Sequence, residues 1–393
     1  MRIEGVATRS IWLEPDGWSV GIFDQRLLPW RIERLRLCHV EDAAAAIADM
    51  ATRGAPLIGA VAAYGLALAM RADAGDAALA AAHERLVRTR PTAVNLRWAL
   101  DRVAARVRPL APAERAAAAY AEAASLCDED AAMNHAIGLA GLPLIRALAE
   151  RKAGAAVNIL THCNAGWLAT VDWGTATAPI YMAHDAGIPV HVWVDETRPR
   201  NQGALTAFEL AQHGVPHSVI VDNAGGLLMQ RGLVDMVIVG TDRVTANGDV
   251  CNKIGTYLKA LAARAHDVPF HVALPSSTYD AATPDGASVP IEERAPEEVT
   301  SVTGLDRSGA VGRLQITASP ARNPAFDITP AALVTAYLTD RGVHAESEGL
   351  REAMTAQAVI APALPSPFPL GVAERASSPS RREMEGAPSG AEG

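Results

Sequence analysis

The second half of the chain contains short apolar runs that alternate with helical segments, and this alternation constrains the fold more than any other feature. The strand-like runs are Val157–Leu160, Val190–Val194, His217–Val221, Met236–Gly240 and Phe270–Leu274. The helical segments are Pro179–Ala186, Leu205–His213, Gly225–Arg231 and Lys253–Arg264. Strands that alternate with helices form parallel, doubly wound sheets. The sequence therefore predicts an α/β protein with such a sheet.

Polar side chains follow these predicted strands at the points where the strands end. The segments concerned are Thr161–Asn164, Asp195–Arg198, Asp222–Asn223, Gly240–Asp242 and Pro275–Ser277. In open α/β sheets the ligand lies outside the carboxyl ends of the strands. A thiol, carboxylates, amides and hydroxyls are therefore expected along one edge of the sheet, and we predict a binding or catalytic site there.

Met236–Thr256 brings three chemical elements of such a site together. A buried strand delivers Asp242 just past its end, Asn247-Gly248 predicts a turn, and a helix is predicted to open near Asn252-Lys253. A carboxylate, a lysine and a helix N-terminus suit a small anionic substrate that must be held and protonated. A single Asp after a strand is more often structural, and it is the other strand ends that make Asp242 a candidate site residue.

Cys163 is the second candidate, and its chemistry has two interpretations. A thiol near a helix start can act as an acid, a base or a nucleophile, whereas a free cysteine is usually a small core residue. His162 is its neighbour, but adjacent side chains in a strand-to-loop segment point to opposite sides. A Cys163–His162 dyad is therefore not expected.

The first third of the chain is mostly helical, with an alanine-rich composition that favours helices. Helices are predicted over Pro112–Cys127 and Asp128–Ala149, and Arg53-Gly54 precede a helix that starts near Pro56, a position suited to an anion. We predict a mainly helical domain over residues 1–130 and a sheet domain over 131–349. A helix is also predicted over Pro330–Thr339, capped by Asp327 or Thr329, and a disordered tail over 350–393.

Composition excludes several classes of function. The net charge of -9 argues against a nucleic-acid partner, and four dispersed cysteines fit a reducing cytoplasm. Met1–Arg9 lacks the apolar core of a signal peptide, and the longest apolar run, Ala55–Met70, is shorter than the roughly 20 residues of a membrane span. We therefore expect a cytoplasmic protein without membrane or nucleic-acid partners.

Metal and cofactor signatures are weak or absent. Glu196, Asp222 and Asp242 could form a magnesium site, but no spacing demands it and Lys253 would compete for the position. The glycine fingerprint of nicotinamide cofactors does not follow the first strand of the α/β half, and the phosphate-binding loop signature of nucleotide triphosphatases is missing. No metal and no cofactor are expected.

Seven motifs in register resemble the methylthioribose-1-phosphate isomerase family. They are Arg53–Gly59, Leu160–Gly166, Glu196–Pro199, Gly240–Arg243, Asn252–Thr256, Pro290–Arg294 and Asn323–Asp327. That family belongs to the superfamily of the regulatory subunits of a translation initiation factor's nucleotide exchange factor. The resemblance covers about Val6 to Gly342. Cys163 beside Asp242 indicates the isomerase branch, because the family's catalytic pair sits in those two motifs.

The resemblance implies a helical N-terminal domain, a Rossmann-like C-terminal domain, a homodimer and no cofactor. It also implies conversion of 5-methylthioribose 1-phosphate to 5-methylthioribulose 1-phosphate in methionine salvage. Cys163 and Asp242 would be the catalytic residues. The residues that would bind the substrate are Arg53, Gly54, Ala55, Arg90 of the Arg-Pro-Thr-Ala segment, Gln202, Asn252 and Lys253.

Two departures from the family's pattern leave the exact sugar open. Only Ala204 separates Gly203 from Leu205, where the family usually has an additional arginine, and Thr241 stands where alanine is commoner. 5-Deoxyribose 1-phosphate is expected as a second substrate. The alternatives are a ribose-1,5-bisphosphate isomerase, or a non-catalytic regulatory or scaffold subunit of the same superfamily.

Overall fold

The computed structural model describes residues 1–90 and 94–356 of the chain. Its helices are α1 (Val40–Ala48), α2 (Ala55–Ala72), α3 (Asp76–Val87), α4 (Val94–Val107), α5 (Pro112–Arg151), α6 (Ala178–Asp185), α7 (Gly203–His213), α8 (Ala224–Gln230), α9 (Thr256–Ala265), α10 (Glu297–Thr300) and α11 (Ser347–Thr355). Single 3-10 turns occur at Trp167–Ala169, Ser276–Thr278, Gly286–Ser288 and Ala331–Leu333.

The strands fall into one large sheet and four small ones. They are β1 (Arg2–Ile3), β2 (Val6–Ala7), β3 (Ile11–Leu13), β4 (Val20–Phe23), β5 (Arg34–Leu37), β6 (Val157–Thr161), β7 (Val190–Asp195), β8 (His217–Ile220), β9 (Met236–Val239), β10 (Arg243–Thr245), β11 (Val250–Lys253), β12 (Phe270–Leu274), β13 (Tyr279–Asp280), β14 (Ser301–Leu305), β15 (Val311–Gln315), β16 (Phe326–Thr329), β17 (Ala336–Thr339) and β18 (Gly342–His344).

The N-terminal part is a helical layer built around α2. This helix contacts α1, α3, α4 and α5, and most of its side chains are buried. Alanine and glycine on α2 allow close packing: a side chain at Gly65 would meet Ala43 and Leu86. Among the described residues, α2 is the one helix long and apolar enough to cross a membrane, yet it is mostly buried inside the protein, as the core helix of a soluble fold is.

The large sheet has the order β18-β17-β12-β9-β6-β7-β8, and all its strands except the edge strand β18 are parallel. After β6 the chain builds outward through β7 and β8, and then returns to place β9, β12 and β17 on the other side of β6. The direction of winding therefore reverses between β6 and β9. In a doubly wound sheet the ligand crevice opens at such a reversal, outside the carboxyl ends of the strands.

The strands of this sheet are buried on both faces. Ile159 packs into one hydrophobic core and its neighbour Leu160 into another, as the alternation of side chains along a strand requires. The same split separates Ile238 from Val237 on β9. The five strands predicted from the sequence are confirmed, and so is the α/β class with a doubly wound parallel sheet.

The predicted break between two helices near residue 127 is wrong. α5 is continuous from Pro112 to Arg151 and contains Pro143. Its first half packs on α2, and its second half packs on α6 and β17. Burial along its length keeps it in one piece. The predicted domain boundary at residue 130 falls inside this helix, and the boundaries themselves stay predictions.

The predicted helix start at Asn252-Lys253 is also wrong. These residues end β11, which pairs with β10 and β16 in a small four-stranded sheet. The Asn247-Gly248 turn closes a hairpin rather than leading to a helix, and Val250-Cys251 suit a strand. Gly255, with φ of 105°, then starts α9. The two polar side chains therefore stand on a rigid strand.

The predicted helix over residues 330–339 is replaced by a 3-10 turn and β17. The buried sequence Ala-Tyr-Leu-Thr pairs with β12 and completes the large sheet, so a strand was missed here because the run is short. Asp327 and Thr329 lie in β16 and cap no helix there. Residues 350–355 belong to α11, a correction to the predicted disordered tail; the rest of that tail, 357–393, lies outside the described residues.

Candidate active site

A cavity opens at the winding reversal between β6 and β9. All nine site residues predicted from the sequence line it, namely Arg53, Gly54, Ala55, Arg90, Cys163, Gln202, Asp242, Asn252 and Lys253. They come from α2, the segment after α3, the ends of β6 and β9, the start of α7, and β11. The structure thus brings the predicted residues together, while their individual roles stay predictions.

Cys163 lies just after the carboxyl end of β6, in a loop with a strained backbone that hydrogen bonds hold in place. Its φ is 68°, a left-handed backbone conformation that is uncommon for a residue with a side chain. Its N–H donates to Thr197 Oγ1 at 2.8 Å, and its carbonyl accepts from Thr206 Oγ1 at 2.9 Å. Two hydroxyls from neighbouring elements therefore fix the backbone that points the thiol into the cavity.

The pKa of the Cys163 thiol is raised. Burial is the main cause, Lys253 and Arg53 act in the opposite direction, and the Asp242 carboxyl adds to the rise. The thiol is therefore protonated in the resting protein at neutral pH, because its ordinary pKa already lies above 7.

His162 points away from the cavity, into a buried charged network under the Cys163 loop. Its Nε2 donates to the Ile254 carbonyl at 2.8 Å, and its Nδ1 lies 2.8 Å from Asp195 Oδ2. Lys259 Nζ approaches the same Asp195 oxygen at 3.1 Å and also donates to the Asp222 carbonyl. The expectation of no Cys163–His162 dyad agrees with this geometry, since His162 does not line the cavity.

Glu209 supports the other side of the Cys163 loop. Its fully buried carboxylate accepts from Asn164 Nδ2 and from the N–H groups of Trp167 and Leu168, all at 2.9 to 3.0 Å, and from the Tyr181 hydroxyl. Burial raises the pKa of Glu209 to about 7 against the effect of these donors. The strand-end argument did not point to this residue, because it is the seventh residue of α7 and not part of a strand end.

The N-terminus of α2 forms a second wall. Gly54 has φ of 92°, and a side chain there would strike the backbone of Ala169, so only glycine fits between α2 and the loop after Cys163. The unpaired N–H groups of the first helical turn point toward the space outside the helix end, a position that favours an anion. Arg53 precedes this end, and burial lowers the pKa of its guanidinium to about 10, so it remains charged.

Asp242 follows β9 in a loop that is braced locally. Its N–H donates to the Cys251 carbonyl at 3.1 Å, and the Thr241 hydroxyl accepts from the Arg243 N–H and shares its single proton between the carbonyls of Arg243 and Cys251. The threonine that departs from the family's usual alanine thus adds a hydrogen bond to the loop. Burial raises the pKa of the Asp242 carboxyl, Lys253 and Arg90 lower it, and Glu292 raises it again.

β11 places Asn252 and Lys253 opposite the two catalytic candidates. Asn252 Nδ2 donates to Thr256 Oγ1 at 3.0 Å, and Lys253 Nζ lies 5.7 Å from the centre of the Phe326 ring. Burial lowers the pKa of Lys253, and the Cys163 and Asp242 groups counter that effect. Gln202, at the start of α7, has a buried Oε1 without a hydrogen-bond partner among the described residues.

Four charged residues of the cavity escaped the sequence reasoning: Arg200, Arg243, Glu292 and Arg294. Arg200 pairs with Glu298, Arg243 with Asp280, and Arg294 with both Glu292 and Glu298. Arg243, Glu292 and Arg294 stood within quoted motifs, so a signal was available, but the motif alone does not tell which member faces the site.

The cations of the cavity divide into two groups. Arg90 lies 3.5 Å from Glu292, so it joins Arg200, Arg243 and Arg294 as a cation with an acidic partner. Within residues 1–90 and 94–356, no carboxylate comes within ion-pair distance of Arg53 or Lys253. Lys253 is buried and Arg53 is partly exposed, and these two residues without an acidic partner mark the place where an anionic group would be most stabilised.

The metal trio considered from the sequence does not form. Glu196 and Asp222 do not line the cavity that holds Asp242. His162, Asp195 and Asp222 are close enough to ligate an ion, but the Lys259 ammonium already contacts Asp195, and Asp222 accepts from the N–H groups of Thr197 and Arg198. A lysine thus supplies the positive charge in this cluster.

Comparison with known proteins agrees with the site. The initiation factor 2 subunit family model matches residues 51–346. The methylthioribose-1-phosphate isomerase of Acidiphilium cryptum is 64% identical over 359 residues, which are 90% of this chain and 97% of the relative.

Two solved structures extend the comparison. The crystal structure of 5-methylthioribose 1-phosphate isomerase from Pyrococcus horikoshii OT3 is 40% identical, with a TM-score of 0.76 over 88% of this chain and 96% of that chain. The structure titled translation initiation factor eIF-2B, subunit delta, from A. fulgidus is 37% identical, with a TM-score of 0.74 over 88% of this chain and 99% of that chain. The chain belongs to the methylthioribose-1-phosphate isomerase family, within the initiation factor 2 subunit family.

Proposed function

We propose that this protein is an aldose–ketose isomerase that converts 5-methylthioribose 1-phosphate to 5-methylthioribulose 1-phosphate, a step of methionine salvage. The observation that carries the proposal is that Cys163 and Asp242 face one cavity together with Arg53 and Lys253, which have no acidic partner among the described residues. The relatives that are 60% identical or more bear the name of this enzyme, which supports the same reaction.

The phosphate of the substrate binds between Arg53, Lys253 and the N-terminus of α2. Neither side chain has a carboxylate within ion-pair distance among the described residues, so no ion pair would have to be broken to bind a phosphate there. Charge-assisted hydrogen bonds from guanidinium, ammonium and backbone N–H groups suit its oxygens. Arg90 and Asn252 approach from the sides of the same cavity.

Asp242 acts as the acid that opens the sugar ring. The phosphate on the anomeric oxygen leaves the substrate without a free aldehyde, so the ring must open on the enzyme before hydrogen can move from C2 to C1. Ring opening needs a proton on the ring oxygen, which a protonated carboxyl can donate. Burial raises the pKa of Asp242 in the direction that this role requires.

Cys163 assists the transfer of hydrogen from C2 to C1. In a proton route through an enediolate its thiolate is the base, so the thiol must first give up its own proton; in a hydride route the residue stabilises the developing charge. Running the reaction in deuterated water separates the two routes, because a proton that exchanges with solvent brings deuterium to C1. Absence of deuterium at C1 would exclude a freely exchanging proton and favour the hydride route.

NMR of the purified protein with three sugar phosphates tests the proposed function. The substrates are 5-methylthioribose 1-phosphate, 5-deoxyribose 1-phosphate and ribose 1,5-bisphosphate. Turnover is expected to be fastest with the methylthio sugar and slower with the deoxy sugar. If the protein turns over none of them, the enzyme proposal is contradicted and a binding subunit is favoured. If it turns over ribose 1,5-bisphosphate fastest, that sugar, and not 5-methylthioribose 1-phosphate, is its substrate.

We further propose that the protein is a homodimer. The helices α8 and α9, which cover the face of the sheet that contains Ile220, expose large apolar side chains. These are Leu227, Leu258 and Leu261, which are 39% to 60% exposed. Val219 and Val221 at the edge strand β8 are also exposed, at 52% and 59%. Lys259 Nζ bonds the Asp222 carbonyl, which keeps α9 against the β8–α8 turn. A patch of this kind suits a second copy of the chain.

Light scattering at several protein concentrations tests the dimer. The wild-type mass should equal two chains, and Leu258→Glu should reduce it to one chain because a charge would be buried in the interface. Leu139→Glu changes an equally exposed leucine on α5 and serves as the control. A monomeric wild type, or an unchanged mass for Leu258→Glu, would contradict the proposed interface.

A further inference from the structure

Glu292 is a cavity residue that the chemistry described above does not use. It and Asp242 are the two carboxylates that line the cavity within the described part of the chain, where six arginine and lysine side chains also contribute. A carboxylate in an anion-binding cavity opposes the binding of phosphate. Its presence therefore needs a reason that outweighs this repulsion.

Backbone hydrogen bonds fix the position of Glu292 relative to the catalytic residues. Its carbonyl accepts from Ala325 N–H at 2.9 Å, and the Arg294 N–H donates to the Asn323 carbonyl at 2.9 Å. The chain continues from Ala325 into β16, whose Phe326 is paired with Lys253 of β11. Glu292 is thus held by the same small sheet that carries Lys253, and not by a free loop.

The two carboxylate oxygens of Glu292 have different surroundings. Oε1 accepts from Arg294 Nη1 at 3.0 Å. Oε2 lies 3.5 Å from Arg90 Nη2, is buried, and has no hydrogen-bond partner among the described residues. A buried charged acceptor without a donor is rare in proteins and indicates a missing partner. Oε2 belongs to a residue of the cavity wall, so a ligand can supply that donor.

The charged residues of the cavity provide separate positions for the phosphate and for the ring hydroxyl groups of a sugar phosphate. Arg53 and Lys253 have no acidic partner among the described residues and suit the phosphate, whereas Glu292 compensates Arg90 and Arg294. A ribose ring offers hydroxyl groups at C2 and C3, and a hydroxyl donates a short, charge-assisted hydrogen bond to a carboxylate oxygen. The Glu292 side of the cavity therefore suits the hydroxyl-bearing edge of the ring.

We propose that Glu292 is a substrate-binding residue whose Oε2 accepts a hydrogen bond from a ring hydroxyl of the sugar, while its charge offsets that of Arg90 next to Asp242. This inference rests on the proposed function, because it assumes a sugar phosphate in the cavity. It adds a hydroxyl-recognition residue to the phosphate-binding and acid–base groups already described.

The charge of Glu292 also affects the protonation of Asp242. The groups that act on the Asp242 carboxyl are Lys253, Arg90 and Glu292, and the thiols of Cys163 and Cys251 also face it. Lys253 and Arg90 lower the pKa of Asp242, and Glu292 raises it. If Asp242 is the acid, Glu292→Gln shifts the alkaline limb of the kcat/KM profile to lower pH, since the proton is then lost earlier.

Ligands that lack one hydroxyl test the hydrogen bond directly. Wild type, Glu292→Gln and Glu293→Gln are compared for binding of 5-methylthioribose 1-phosphate and of its 2-deoxy and 3-deoxy forms by calorimetry. Glu293 is the matched control, because its carboxylate pairs with the exposed Arg322 and does not line the cavity. Glu292→Gln should weaken binding of the full sugar by about ten- to a hundredfold.

With one of the two deoxy sugars, Glu292→Gln should bind at least as tightly as wild type, because the partner of Oε2 is then missing from both complexes and the variant lacks the charge that repels the phosphate. Glu293→Gln should match wild type with every ligand. The inference is overturned if Glu292→Gln binds the full sugar as well as wild type does. It is also overturned if the variant loses the same factor with all three ligands, which indicates a general change in charge or fold.

A second variant keeps the test valid if Glu292→Gln folds poorly, and it separates the hydrogen bond that Glu292 makes to the sugar from the effect of its charge on Asp242. Glu292→Asp keeps the charge but withdraws the oxygen from the hydroxyl, so it should lose affinity for the full sugar while its alkaline limb stays near that of wild type. If the alkaline limb of Glu292→Asp moves as far as that of Glu292→Gln, the proposed effect of the Glu292 charge on Asp242 is contradicted. Failure of wild type to turn over 5-methylthioribose 1-phosphate rejects the proposed function, whereas wild-type turnover with unaffected Glu292 variants rejects this inference alone.

Discussion

The loops that carry Cys163 and Asp242 follow adjacent strands of one sheet, yet they are held in different ways. The Cys163 loop has a left-handed residue and is fixed from outside, by Thr197, Thr206 and buried charges on β7, α7 and α9. The Asp242 loop is fixed from within, by Thr241 and by its own hairpin partner Cys251. The first depends on distant parts of the chain, and the second is nearly self-contained.

The difference shows that the position of Cys163 and the protonation of Asp242 are controlled by separate groups of residues. The groups that fix Cys163 in space lie under the cavity, where they do not touch a ligand. The groups that shift the pKa of Asp242 line the cavity itself, namely Lys253, Arg90 and Glu292. Substitutions below the cavity should therefore affect stability and geometry, whereas substitutions on its wall should affect binding and pH dependence.

Removing either of the two proposed catalytic groups should have the largest effect and should act on chemistry alone. Asp242→Asn and Cys163→Ser are each expected to lower kcat by about 10²–10⁴-fold, the range for a lost acid or base. Neither side chain holds its own loop together, since the backbone and Thr side chains do so. The melting temperature should therefore not fall. Kinetics by NMR and thermal unfolding check this; wild-type kcat in either variant would contradict its catalytic role.

Breaking the buried network under the Cys163 loop should mainly reduce stability. Lys259→Met leaves the buried Asp195 without its ammonium partner, and loss of one member of a buried ion pair costs about 3–5 kcal/mol. The exposed pair Arg322–Glu293 is the control, because Arg322→Gln should change the free energy of unfolding by less than about 1 kcal/mol. Denaturant unfolding measures both, and equal effects would contradict the importance of the network.

The strand ends were predictable from the sequence for a geometric reason. Parallel strands of one sheet end at the same edge, so the residues that follow Leu160 and Val239 had to lie near each other once the strands were recognised. This inference requires only that local apolar runs be recognised as strands, and it was sufficient to predict Cys163 and Asp242 as site residues from the sequence. The winding reversal that makes their position special depends on strand order, which short apolar runs do not encode.

The rest of the site was less predictable because its contacts are long-range. Asn252 and Lys253 were placed on a helix, since the partner strand β16 comes more than 70 residues later. Glu292 entered only as part of a motif, and its approach to Arg90 joins segments about 200 residues apart. Lys259 looked like an ordinary helix residue. Its location on an otherwise buried stripe of α9 was the one available signal.

Glu209 offers a pH-dependent test of the support under Cys163. Burial raises the pKa of Glu209 from 4.5 to about 7. A carboxyl whose pKa is higher in the folded state stabilises the protein below the unfolded pKa, and this contribution is lost as pH rises through about 7. The unfolding free energy should therefore fall between pH 4.5 and 7 by up to about 3 kcal/mol from this residue.

Glu209→Gln should be less stable than wild type at low pH, because its amide cannot accept all the bonds of the carboxyl, and it should lose part of this pH slope. Asp130 also has a pKa raised to about 7 by burial, so the slope decreases but does not vanish. Glu293→Gln should leave the slope unchanged, since its pKa lies at about 2 and it titrates outside this window. An unchanged slope in Glu209→Gln would show that this carboxyl does not titrate between pH 4.5 and 7.

The smallest expected effects compare the two loops directly through one hydroxyl in each. Thr197→Val leaves the buried Cys163 N–H without an acceptor and Asp195 O without a donor, which should cost about 1–3 kcal/mol. Thr241→Val removes the hydroxyl from the carbonyls of Arg243 and Cys251 and takes the Thr241 acceptor from the Arg243 N–H, so a similar cost of about 1–3 kcal/mol is expected, although Cys251 O keeps the Asp242 N–H. In kinetics, Thr197→Val should lower kcat because the thiol moves, whereas Thr241→Val should nearly retain it, since the hairpin still holds Asp242. Equal losses of kcat in the two variants would mean that both loops depend on their hydroxyls alike, and the distinction between an externally held and a self-contained loop would then be wrong.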